Sequence, residues 1–140
     1  MVEGDPKAVV IAMFAAWDKK DLDGVMARYG DDVEVRGPAG MHVHGADAAR
    51  EMFGQLLGAY DSGGSEIVRQ FVDGDYVITE WRDVTENNGP LRLANGESLP
   101  PTGRTVTQEI LFIHHVIGGK IVKETVYFDR HAFLQQIGQL

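Results

Sequence analysis

Residues Thr105–Asp129 read TVTQEILFIHHVIGGKIVKETVYFD. Two runs rich in Val, Ile, Thr, Phe and Tyr flank Gly118-Gly119, the composition and punctuation of a long β-hairpin. Side chains alternate faces along a strand. The even-numbered set is therefore Val106, Gln108, Ile110, Phe112, His114 and Val116, followed by Val122, Glu124, Val126 and Phe128. The odd set carries Glu109, His115, Lys123 and Asp129 among Leu111, Ile113, Ile121, Thr125 and Tyr127. A two-residue turn pairs Ile117 with Lys120 and sets even residues opposite odd ones. A three-residue turn through Lys120, with a glycine bulge, pairs Ile117 with Ile121 and sets even opposite even. The three-residue turn is preferred, because it leaves Lys120 at an exposed tip and gathers one apolar face. The even residues then point inward, and a slip of one residue would invert every assignment.

The rest of the chain fits around this hairpin as a single domain over residues 1–140. Hydrophobic residues make up 44% and charged residues 24%, a globular composition. A net charge of −8 argues against a nucleic-acid backbone or an anionic membrane as partner. With no cysteine there is no disulfide or thiol chemistry, which fits a cytoplasmic protein. Met1–Lys7 is short and acidic, unlike a signal peptide, and no apolar run reaches membrane-spanning length.

Asp5-Pro6 predicts a helix start with a capping carboxylate, and Val9, Val10, Met13, Phe14 and Trp17 recur at helical spacing. A second short helix is expected to bury Leu22, Val25, Met26 and Tyr29 and to stop at Gly30. Val33 and Val35 mark a short strand ended by Gly37-Pro38, and His42 and His44 are expected in a loop. A third helix shows Met52, Phe53, Leu56, Leu57 and Tyr60 on its apolar side, followed by a flexible connection over Asp61–Ser65. Strands are then expected at Ile67–Val72 and Tyr76–Thr85, turning at Asp73-Gly74-Asp75. The charges of Glu80 and Arg82 assign the even side of that strand to solvent, which turns Trp81 and Asp83 inward. Glu86–Gly103, rich in Asn, Gly and Pro, reads as a lid or as a hairpin extension. A short helix over His131–Ile137 ends the pattern. Helices ahead of an antiparallel sheet spell an α+β fold: a cone-shaped, curved, mixed or antiparallel sheet wrapped over three N-terminal helices and enclosing a pocket.

That order resembles the nuclear-transport-factor-two-like fold. Pro100-Pro101-Thr102-Gly103-Arg104, Gly119-Lys120-Ile121, Tyr127-Phe128-Asp129 and the ending Phe133-Leu134-Gln135-Gln136-Ile137-Gly138 resemble the SnoaL-like polyketide cyclases, or ester cyclases. Ile78-Thr79-Glu80-Trp81-Arg82-Asp83-Val84 is also similar to limonene epoxide hydrolase of the same fold. The resemblance implies a cofactor-free enzyme and a key carboxylate three residues before the Asp of the Tyr-Phe-Asp ending; here that residue is Val126. The hydrolase's Arg-x-Asp falls on Trp81-Arg82-Asp83, keeping the Asp and losing the Arg. Its water-holding Tyr and Asn fall near Val35 and Gly37, and the cyclases' supporting His near Phe112. Epoxide hydrolysis by that route therefore lacks its residues.

What remains for chemistry is Asp83, then His114 with Glu124. An inward carboxylate among Trp81, Phe112, Val126 and Phe128 is desolvated, which raises its pKa toward general acid–base use. The plainer alternative is that Asp83 holds a water or a backbone amide. In the preferred register His114 faces Glu124, as a proton shuttle at the pocket mouth or simply as a polar pair near the hairpin tip. Gln108 is a candidate donor to a substrate carbonyl. Trp17, Tyr29, Val35, Tyr60, Trp81, Phe112, Val126 and Phe128 are the expected walls, with Trp81 a stacking surface and Trp17, Tyr29 and Tyr60 also suited to plain core filling. Asp129, outward and just before a helix, is expected to cap it. His42 and His44 lack a third ligand at metal spacing, so no metal is assigned. The implied partner is a hydrophobic, carbonyl-bearing small molecule, handled by proton transfer or merely bound. A second copy is expected across the outer sheet face, through Leu111, Ile113, Thr125 and Tyr127, with Glu109 and His115 pairing across the interface.

Overall fold

A computed structural model of the chain describes residues 4–92 and 96–140. The start of the Met1–Lys7 stretch and the middle of Glu86–Gly103 lie outside the described residues. Helix α1 spans Pro6–Asp18, α2 Leu22–Met26, α3 Ala46–Ala59 and α4 Arg130–Gln136. The strands are β1 (Tyr29–Arg36), β2 (His42–His44), β3 (Tyr60–Asp73), β4 (Tyr76–Asn87), β5 (Leu91–Arg92), β6 (Ser98–Leu99), β7 (Thr105–Ile117) and β8 (Lys120–Tyr127). Six of them form one curved sheet in the order β2-β1-β8-β7-β4-β3, every pair antiparallel except β1 with β8. The architecture is the α+β arrangement expected; β2 and β3 are its edges, so the sheet curves without closing.

The inward parity of β4, β7 and β8 is as the alternation requires. Val77, Thr79 and Trp81 are buried on β4, His114 and Val116 on β7, Glu124 and Val126 on β8. Outside, Arg82 pairs with Glu66 and Glu109, and Arg69 with Glu80. The route to that parity differs from the one preferred above. Ile117 pairs with Lys120 across a two-residue turn, whose Gly118 (φ 60°) and Gly119 (φ 77°) both take the left-handed conformation of a type I′ hairpin. An extra residue on β8 then restores even opposite even, because Val116 pairs with Ile121 but His115 with Lys123. In consequence Ile121, not Val122, is the fully buried residue at this end.

Several boundaries move for the same reason: apolar helical spacing runs on through a chain reversal. Tyr29 opens β1 and Gly30 lies within that strand; Tyr60 opens β3, which replaces the expected flexible connection. His42 and His44 belong to a short edge strand, where His42 approaches Glu34 at 3.3 Å. Asp5 makes no side-chain cap to α1, whereas Asp21 accepts from the Gly24 amide and Asp129 from that of Ala132.

The described part of Glu86–Gly103 is a hairpin extension rather than a lid. β5 pairs with β6, and Leu91 is buried with Ala59, Val106 and Ile137. Asn87 anchors both ends: its Nδ2 donates to the Ala59 and Gly89 carbonyls, and its Oδ1 accepts from the amide and hydroxyl of Thr102. Gly89 passes so close to α3 that a Cβ there would stand 2.0 Å from the Gly58 carbonyl oxygen. Among the described residues no helix is long and apolar enough to cross a membrane.

Candidate functional site

The inner face of the sheet carries two polar clusters. The first is built on β4. Its inward parity brings Asp83 beside Trp81, whose indole Nε1–H donates to Asp83 Oδ2 at 3.1 Å. The other oxygen, Oδ1, is buried with no partner. Burial pushes the Asp83 carboxyl up from its ordinary value and the charge of Asp18 adds to this, against the opposing Trp81 bond. Across the strand pair Gln108 faces Asp83, and on β3 Ser65 does so. Tyr60 presents a second orphan: its hydroxyl is buried and unpartnered, and burial followed by the Asp83 charge raises its pKa well above a free phenol's. An acid-base group with a free oxygen and a phenol with a free proton thus lie in each other's field.

The second cluster joins β7, β8 and β1. Glu124 Oε1 accepts from the Tyr29 hydroxyl at 2.5 Å and meets His114 Nε2 at 2.7 Å. All three groups are buried, with His114 at 0% exposure. The Tyr29 phenol is raised by burial first, then by the charge of Glu124 and by its hydrogen bond. His114 Nδ1 is buried without a partner. The facing of 114 and 124 was expected, but not the setting: the pair lies deep under α1, where Phe14 meets the His114 ring edge-on, not at a wet pocket mouth. Tyr29 was expected to be a wall, yet its hydroxyl belongs to this network. No spacing rule links it to Glu124, because the two are 95 residues apart.

The two clusters do not share one chamber. Val77, opposite His114, and Asp83, opposite Gln108, are separated by six residues of β4, about 20 Å of strand. Phe14 and Trp81 fill the space between, stacked at 4.4 Å. The opening at Trp81 is a depression of about 220 Å³ lined by Phe14, Asp18, Ser65, Ile67 and Trp81 among others. Ser65 donates to Asp18 at its rim. A wider surface groove of about 530 Å³, along Leu22, Asp47, Arg50 and Gly54, shares no residue with either cluster.

The remaining wall residues divide between the cores. Val35 is wholly buried and pairs with Glu124 through the parallel β1–β8 ladder. Phe112 lies parallel to the His114 ring at 5.6 Å and pairs with Val126. Trp17 packs on Phe53 in the main core. Tyr60 and Phe128 both pack on Phe133 of α4. Among the described residues no group of three or more His, Cys, Asp or Glu could hold a metal ion.

Comparison with known proteins decides the family. The model of the SnoaL-like domain matches residues 10–124. The chain belongs to the SnoaL-like domain family. Solved structures of the same fold include a candidate SnoaL-like polyketide cyclase from Jannaschia sp. CCS1, with TM-score 0.85 and 17% identity over 99% of this chain and 95% of that one. AclR, a candidate hydroxylase from Streptomyces galilaeus, gives TM-score 0.80 and 20% identity over 99% of both chains. An LEH-like epoxide hydrolase from M. tuberculosis gives 0.72 and 21% identity over 93% of this SnoaL-like chain and 86% of that one. No curated protein matches the sequence. At these identities the likeness is one of fold, and one fold of this kind carries many chemistries.

Proposed function

We propose that this SnoaL-like protein is a cofactor-free proton-transfer enzyme of the cyclase or isomerase type, acting on an apolar carbonyl compound. The observation that carries this reading is the unpartnered, buried Oδ1 of Asp83, whose charge acts on the likewise unpartnered hydroxyl of Tyr60. Buried polar atoms without partners are rare and invite a ligand. Asp83 Oδ1 takes a proton from the carbon next to the carbonyl, and the C–H electron pair moves into the enolate. Tyr60 donates to the enolate oxygen as charge builds there, in a site poor in water. The amide of Gln108, opposite Asp83, serves as a second donor. Returning the Asp83 proton to a different carbon of a conjugated enolate completes an isomerisation; attack of the enolate carbon on a second carbonyl of the same molecule, with the Asp83 proton passing to the alkoxide that forms, completes a ring closure. Trp81, buried with Phe14 stacked on its ring, serves by positioning Asp83 through its indole N–H. His114 and Glu124 stand apart from this step.

A second reading, a non-catalytic binding protein for a hydrophobic ligand, is favoured by Val126. It is buried and inward where the relatives are expected to carry their carboxylate. A thermal-shift panel of apolar enones and diketones, with ultraviolet turnover assays on every hit, separates the two. Stabilisation with consumption supports the enzyme and stabilisation without consumption supports the binder. A panel that stabilises nothing retires both.

A cytoplasmic setting and a homodimer belong to the same proposal. For the first, a chain without cysteine owes nothing to an oxidising compartment. For the second, the outer face carries the row Phe71–Ile78–Ile113–Thr125 across four strands, flanked by Leu111 and Tyr127. Phe71 and Tyr127 are 57% and 56% exposed. Sedimentation should show a dimer that Tyr127→Asp converts to monomer; a wild-type monomer at tens of micromolar would end this part of the proposal.

A further inference from the structure

Asn88-Gly89 leads out of β4 into the hairpin extension. An asparagine before a glycine is the pair most open to deamidation, since no side chain on the second residue hinders approach of its backbone nitrogen. The Gly89 nitrogen attacks Asn88 Cγ and gives up its proton, the Cγ–Nδ2 bond breaks, and ammonia leaves. Water then opens the succinimide ring at either carbonyl, giving aspartate or isoaspartate; no oxidant or reductant takes part.

In the folded chain the attacking nitrogen is held. Its N–H donates to the Ala59 carbonyl at 3.1 Å, and the Gly89 carbonyl accepts from Asn87 Nδ2, also at 3.1 Å. Gly89 is buried, with the Gly58 carbonyl oxygen 2.0 Å from where a Cβ would stand. The Asn88 side chain is held as well, although it is exposed. Its Nδ2 donates to Asp61 Oδ2 at 2.9 Å and to Glu86 Oε2 at 3.3 Å, which uses both hydrogens. Asp61 and Glu86 face each other across the β3–β4 ladder, so the amide lies between two carboxylates, of which Asp61 also binds Lys20 at 2.9 Å.

A carboxylate at position 88 reverses that arrangement. It has no hydrogen to give and carries the same charge as both neighbours, and like charges set this close repel. We infer that Asn88 is a guarded deamidation site and a one-way switch: it cyclises only while Gly89 is detached from Ala59, and the carboxylate it leaves then opposes reattachment. Ala59 precedes Tyr60, and Tyr60 pairs with Asn87, so the segment that loosens is the one that fixes the start of β3. Neither step requires Asp83 to be catalytic.

The full chain is incubated at pH 8, folded or unfolded in guanidinium chloride, and peptide mass spectrometry follows conversion at residue 88. The folded chain should convert about a hundredfold more slowly, because the reaction waits on a local opening. Asn87→Ala, which removes the amide that binds the Ala59 and Gly89 carbonyls, should raise the folded rate about tenfold. Equal rates in the folded and unfolded chain would show that the Gly89 bond guards nothing, and would overturn the inference. Hydrogen exchange of the Gly89 amide reads the switch. Asn88→Asp should exchange there about fivefold faster than Asn88→Ala, while the Ile121 amide, bonded to Arg28, exchanges alike in both. Exchange no faster in Asn88→Asp than in Asn88→Ala would overturn the switch. Should Asn87→Ala fail to fold, the two Asn88 variants carry the comparison.

Discussion

Glu124→Ala is expected to cost about 3–5 kcal/mol of stability, a large share of what a domain of this size possesses. The carboxylate is the shared acceptor for the Tyr29 hydroxyl and His114 Nε2, and among the described residues these atoms have no second hydrogen-bond partner. Removing it strands a buried N–H and a buried O–H group, each costing about 1–3 kcal/mol when unpaired, and leaves a cavity beside Val35 and His114. Glu124→Gln keeps an acceptor oxygen and should cost about half as much. Replacing the network together, as Tyr29→Phe, His114→Phe and Glu124→Leu, removes every stranded group and should recover most of the loss, so the effects should be strongly non-additive. Urea unfolding midpoints of the single and triple variants measure this. A loss below about 1 kcal/mol for Glu124→Ala would mean that water reaches the cluster, against the burial described.

The same cluster marks where reading the sequence stops. Facing strands joined by a turn are legible, because the turn and the alternation must agree; His114 opposite Glu124 follows from the hairpin even though the turn itself is a different one. Here a bulge at Val122 compensated for the shorter turn, since burying Glu124 beside His114 and Ile121 under α1 satisfies more of the chain than a regular ladder would. Tyr29 was illegible for a physical reason. Leu22, Val25, Met26 and Tyr29 keep helical spacing, yet the last of them has left the helix and pairs in parallel with β8. No turn sets the register of a parallel pair, so its contacts appear only when the whole sheet is assembled. Tyr60 was misplaced in the same way, at the end of α3 rather than at the start of β3. His42–His44 is too short for alternation to show.

At the Asp83 end the sequence went further, because Glu80 and Arg82 pin the outer face and leave Trp81 and Asp83 only the inner one. It marked Tyr60 only as a wall or core residue. Its orphan hydroxyl reaches the Asp83 field only because β3 begins without a linker. Nor did it show that Phe14, plain core by its spacing, separates Asp83 from His114. A pattern tells which face a residue takes, but the depth to which a neighbouring helix fills that face depends on packing across elements.

Asp83→Asn should lower turnover of a carbonyl substrate about a hundred- to ten-thousandfold, the usual contribution of a positioned general base, while leaving the Trp81 hydrogen bond in place. Stability should move the other way. Burial, aided by Asp18 and opposed by the Trp81 bond, holds the folded Asp83 carboxyl above its ordinary range, so the folded state binds its proton more tightly than the unfolded state does. That linkage stabilises the fold fully below the unfolded value of about 3.9 and is lost as the pH rises through the raised folded value. Asparagine carries no such term. The melting temperature of Asp83→Asn, compared with wild type, should therefore rise across that window and stay level above it, with the variant at least as stable at pH 7. Tyr60→Phe should share the loss of turnover, since it removes the donor to the enolate, and should cost no stability, because its hydroxyl has no partner to lose. Thermal melts from pH 3 to pH 8 and turnover of a hit from the carbonyl panel provide both measurements. An Asn variant that turns over substrate at the wild-type rate would remove Asp83 from the mechanism. One that melts lower than wild type at neutral pH would show that the carboxylate is held for structure and not for proton transfer.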